Sequence, residues 1–95
     1  MAIDNWESFH TQALSEGFDE VLQRIWAPDH VNATHTHPFA VEAVIAHGEM
    51  WLTYEGRTQH LTCGKTFVLG AGVPHDERYG AEGATIWAAR RRLVV

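Results

Sequence analysis

Residues 35–42 read H-T-H-P-F-A-V-E, and residues 70–75 read G-A-G-V-P-H. In an extended strand the side chains alternate, so residues two apart share a face. His35 and His37 therefore converge, and Pro38 pushes His37 away from helical geometry. Three neutral imidazoles and one carboxylate are a good donor set for a borderline divalent metal. His35, His37, Glu42 and His75 are the first candidates for that set. Glu42 lies an odd number of positions from His37, so a flat strand would send it to the other face. A turn or bulge must intervene if it is to join the histidines.

Outward from this stretch the extended pattern continues. In E-V-L-Q-R-I-W (residues 20–26), Val21 and Ile25 fall on one face, with Leu22, Arg24 and Trp26 on the other. Pro28-Asp29 makes a turn, and His30 to His37 reads as extended. Val41 to Ala46 is an apolar run, followed by a turn at His47-Gly48-Glu49. Met50 to Tyr54 and Arg57 to Thr62 form a hairpin around Glu55-Gly56. Thr66 to Leu69, Pro74 to Tyr79 and Ala84 to Ala89 complete the series, with Gly80 to Gly83 as a turn. About eight short strands with glycine turns argue for an all-β barrel or sandwich. A parallel α/β fold needs helical crossovers, and none is available after Gly17. Before it, Asp4 or Asn5 caps a helix from Trp6 to about Leu14, with Glu7 in the first turn.

The chain has 95 residues, enough for one domain with a modest core. Twelve acidic and seven basic side chains give a formal net charge of -5. A nucleic-acid binder would show a basic stripe. The one basic cluster, Arg90 to Arg92, has no aromatic platform beside it, so no nucleic-acid partner is expected. The single cysteine, Cys63, forms no internal disulfide and suits a reducing cytoplasm. The acidic N-terminus does not read as a signal peptide, and no apolar run is long enough to span a membrane. A cytoplasmic location with no membrane partner is the expectation.

From about Val31 to Arg90 the chain resembles the cupin superfamily, in the manner of its small single-domain metal-binding members (cupin type 2 like). His35, His37 and Glu42 match the first motif of that family. Gly48 takes its closing glycine position, at a gap one residue shorter than usual, and the opening glycine is absent. Gly64, Gly72 and His75 match the second motif. Lys65, Gly70 and Tyr79 stand where aspartate, proline and asparagine are common. The resemblance implies an all-β double-stranded β-helix, or jelly-roll barrel, over residues 18–95. Residues 1–17 form a short N-terminal helix of the same domain. It also implies one divalent transition metal (Fe, Mn, Ni or Zn) held by His35, His37, Glu42 and His75, with room left for water, substrate or O₂.

Two further residues are candidate catalytic groups. Tyr79 is four residues beyond His75 and shares its face if the strand continues; it could donate a hydrogen bond to a substrate oxygen. Packing as a core aromatic is the blander reading, and the preferred one. Glu77 is two residues from His75 and could shuttle a proton; a solvated strand end is its preferred alternative. Met50 and Trp87 could line the pocket, while Trp51 could equally pack outside. His10, His30, His47 and His60 read as turn or surface residues. No phosphate-binding glycine loop, H-E-x-x-H or Cys–His pair is present.

The functional expectation is a mononuclear-metal enzyme of dioxygenase, isomerase or lyase type acting on a small oxygenated organic compound. The alternative is a non-catalytic binding or sensor module for a small molecule or metal. No cofactor other than the metal is expected. A homodimer is expected through the strand from Val21 to Trp26, with the Arg90 to Arg92 tail and the Leu-Val-Val that follows it closing an edge or reaching a partner.

Overall fold

The computed structural model of the chain describes residues 5–92. The Leu-Val-Val tail and the candidate cap Asp4 lie outside the described residues.

Helix α1 spans Trp6–Ser15. Asn5 caps it, its side-chain oxygen accepting from the Ser8 backbone N–H at 2.8 Å. This satisfies one of the free donors of the first turn. Six strands follow: β1 (Glu20–Trp26), β2 (Val31–His35), β3 (Phe39–Tyr54), β4 (Arg57–Thr62), β5 (Thr66–Leu69) and β6 (His75–Arg92). All their pairings are antiparallel.

β3 and β6 pair along most of their length and divide the structure into two four-stranded groups. The first half of β3 and the second half of β6 lie between β5 and β1. The second half of β3 and the first half of β6 lie between β4 and β2. This is the antiparallel arrangement of a jelly-roll sandwich. The sequence suggests turns at 47–49 and 80–83, yet both strands run through these points. The β3–β6 ladder shifts register between Ile45 and His47 and again between Gly48 and Met50. Bulges there bend the strands without ending them. Gly48, at φ 78°, meets Gly83 so closely that a Cβ would lie 2.1 Å from the Gly83 carbonyl oxygen. Glycine is required at that crossing.

Alternation along β3 creates two cores. Val41, Ala43 and Ile45 face the interior with Met50, Leu52, Tyr79, Ile86 and Ala88. Val44 faces the other way and packs with Phe9, Ala13, Phe18 and Ala89 beneath α1. Trp87 belongs to this second cluster, its ring 5.9 Å from those of Trp6 and Phe9. It therefore anchors the helix and does not line the pocket. Among the described residues no helix is long and apolar enough to cross a membrane.

Candidate metal centre

β2 lies antiparallel to the start of β6 with His35 directly opposite His75. This pairing joins segments forty residues apart, which strand periodicity by itself cannot do. His37 follows two residues after His35, in the short link between β2 and β3. One ligand nitrogen from each of His35, His37 and His75 lies within 4.8 Å of the other two. The ring centroids are 4.3 Å apart for His35–His75, 4.7 Å for His35–His37 and 5.1 Å for His37–His75. His75 is 4% exposed, whereas His35 and His37 are half-buried.

The ring orientations suit metal binding. His35 Nδ1 is 2.6 Å from the Ala33 carbonyl oxygen, and His75 Nδ1 is 3.0 Å from that of Val73. A carbonyl only accepts, so each Nδ1 carries the proton and donates it. In the neutral ring each Nε2 is then left with its lone pair free, and backbone anchoring of this kind fixes the tautomer of metal-binding histidines. His37 stacks on Phe39 at 4.8 Å and 12°. Burial, followed by the nearby His35 and His75, pushes its pKa below the ordinary value and favours the neutral, ligating form. These residues fit a divalent ion by donor type and by orientation.

Glu42 is not in this group. It pairs with Val68 and Ala89 on β3, and its neighbours Val41 and Ala43 point into the core. Glu42 therefore faces the opposite side, as Val44 does, and the inward position belongs to Val41. The bulges that could have turned Glu42 inward lie beyond it in the strand. The signal was the gap of one residue too few before Gly48. With Gly48 held against Gly83, losing one residue reverses the side chains that precede it.

The carboxylate beside the histidines is Glu77. Its Oε1 lies 3.7 Å from His35 Nε2 and 3.9 Å from His75 Nε2. Tyr79 donates its hydroxyl hydrogen to Glu77 Oε2 at 2.8 Å. His75, Glu77 and Tyr79 alternate along β6 and share a face, by the periodicity that pairs His35 with His37. Tyr79 is 1% exposed. Burial, then the adjacent Glu77 carboxylate, raises its pKa and keeps the hydroxyl protonated.

A cavity of about 270 Å³ opens onto this group. Trp26, Phe39, Met50 and Phe67 form much of its apolar wall, and Arg24 and Arg90 add positive charge. Met50 is placed there as expected. Asn32, Arg24 and Arg90 are positioned by sheet pairing, and no local motif marked them. Trp51 packs outside the cavity, stacked on His60 at 4.5 Å and beneath Arg78. His30 hydrogen-bonds Asn32 and stacks on Trp26 without joining the metal group.

The family model for the AraC-like ligand binding domain matches residues 17–90. The chain belongs to the AraC-like ligand binding domain family. No curated protein matches this AraC-like domain. Solved structures that share its fold include proteins described as cupins. A cupin superfamily protein from Desulfitobacterium hafniense is 12% identical at a TM-score of 0.66, the match covering 80% of this chain and 81% of that one. KdgF from Halomonas sp. is 17% identical at a TM-score of 0.65, covering 77% and 69%. A variant of oxalate decarboxylase from Bacillus subtilis is 21% identical at a TM-score of 0.68, covering 76% of this chain but 20% of the larger protein. At these identities the likeness concerns the fold.

Proposed function

We propose that this AraC-like domain is a metal-dependent binding module. His35, His37 and His75 hold one divalent transition metal, and the cavity above it takes a small oxygenated organic molecule. The observation that carries this reading is the convergence of three histidines, two with their Nε2 lone pairs set free by backbone hydrogen bonds. The family match supports binding over turnover, because it is to a ligand binding domain. The cavity volume is at the small end for ligand sites, which suits a compound of few heavy atoms.

A bound divalent ion would supply Lewis-acid polarisation of a ligand oxygen. The chain supplies the rest. Trp26, Phe39 and Met50 exclude water, and Glu77 and Tyr79 give the cavity one acceptor and one donor. An enzymatic reading rests on that pair. Glu77 would take a proton from the bound compound, and Tyr79 would fix the carboxylate or donate to a substrate oxygen. The domain also pairs with a second copy through β1, which among the described residues is hydrogen-bonded along one edge only.

Native mass spectrometry of purified protein, followed by incubation of the released compound with metal-loaded protein, separates the two readings. A compound retained and returned unchanged supports binding. Steady conversion of it by wild type, abolished in Glu77→Gln, establishes the enzyme instead.

A further inference from the structure

We infer that the carboxylate ligand of the ion is Glu77 on β6, taking the place that Glu42 has vacated on β3. This rests on the metal reading above and moves Glu77 from beside the ion to the ion itself. Three observations lead to it. First, Glu42 shares its face with Val44 and the α1 packing cluster, so the β3 position facing the cavity is filled by Val41. The three histidines are then left without a carboxylate from that strand.

Second, Glu77 Oε1 stands almost equidistant from two free imidazole nitrogens, at 3.7 and 3.9 Å. These distances are too long for hydrogen bonds. Two donors on one tetrahedral ion with bonds of ~2.1 Å stand roughly 3.4 Å apart. A small inward movement of the side chain would bring Oε1 to a shared ion. Glu77 sits on the His35–His75 side of the cluster, beside the three histidines whose ligand nitrogens all lie within 4.8 Å of one another.

Third, Glu77 is a covered carboxylate that, among the described residues, makes no ion pair with a lysine or arginine. Its side chain is 13% exposed. Among the described residues it receives one hydrogen bond, from Tyr79, and the basic groups within 4.0 Å of it are the two histidine nitrogens alone. A carboxylate this covered requires a cation or a full set of donors. An ion held by the histidines meets that need at Oε1, while the Tyr79 hydroxyl holds Oε2 and so sets which oxygen faces the ion. Tyr79 is thereby a positioning residue.

The test is titration of metal-free protein with Zn²⁺ and Co²⁺ against a competing chelator, with the Co²⁺ visible spectrum as a second readout. Glu77→Gln keeps an acceptor for Tyr79 and limits damage to the fold, and thermal melting checks each variant. The expected result is loss of affinity of about 10–100-fold in Glu77→Gln, with a changed Co²⁺ spectrum, and a loss of up to about 10-fold in Tyr79→Phe. Glu42→Gln should bind as wild type does. Wild-type affinity in a folded Glu77→Gln, or a loss confined to Glu42→Gln, would overturn this assignment while leaving the histidine site standing. Wild-type protein that binds no better than His75→Ala would overturn the metal reading, and this inference with it.

Discussion

His37 carries the pH dependence at the residue scale. Its folded-state pKa is depressed, first by burial and then by His35 and His75. The unfolded chain therefore binds more protons than the folded one between the two pKa values, and stability rises with pH there. Metal-free protein should be at full stability above the ordinary histidine value of 6.5 and lose it as pH falls toward the folded value. Urea midpoints from pH 7.5 to 5 check this, and His37→Gln should flatten the dependence. A midpoint that rises on acidification contradicts the burial argument. Tyr79 makes a second prediction at this scale. Removing its hydroxyl in Tyr79→Phe leaves Glu77 Oε2 without its donor, and should cost about 1–3 kcal/mol of stability in metal-free protein. Chemical denaturation of the variant checks it.

At the scale of elements, the crossing of β3 and β6 sets the geometry of both halves of the sheet. Gly48 combines φ 78° with a Cβ position blocked by the backbone of Gly83. Gly48→Ala should therefore cost about 2–4 kcal/mol, from strain and overpacking together. Gly56 shares a positive φ but has open space around it. Gly56→Ala should cost only about 1 kcal/mol. Equal losses in the two unfolding curves would show that the close approach is unimportant. The same crossing shows what was legible in the sequence. The sequence reads as eight short extended segments; the structure joins Val41 to Ala46 with Met50 to Tyr54 in β3, and Pro74 to Tyr79 with Ala84 to Ala89 in β6, while Asn5 and Gly17 bracket the helix. The glycines at 48 and 80–83 read as turns because local composition does not distinguish a bulge within a paired strand from a chain reversal. The long β3–β6 pairing that decides between them is non-local. The family motif assigns Glu42 to the ligand set, whereas its odd spacing from His37 and its place between the inward-facing Val41 and Ala43 set it on the other face. Glu77 obeys the same parity rule as His35 and His37.

At the scale of the molecule, a chain of net charge -5 presents a cavity edged by two arginines and three histidines. Its positive lining comes entirely from residues that the fold assembles, since the arginines are far apart in sequence. Ile25 on β1 is 79% exposed, on a strand with one edge unpaired among the described residues. Pairing of that edge with a second copy, as proposed, would cover this apolar side chain. Light scattering should give twice the chain mass at micromolar concentration, and Ile25→Lys should return it to the monomer. A monomer in wild type would rule out this mode of association. The metal centre does not depend on it, because all of its candidate residues come from one chain. Elemental analysis of purified wild type beside His35→Ala, His37→Ala and His75→Ala tests the proposed metal site most directly. The three-histidine site should hold one divalent transition-metal ion per wild-type chain and lose that ion in each folded variant. Full metal occupancy in all three variants would contradict it.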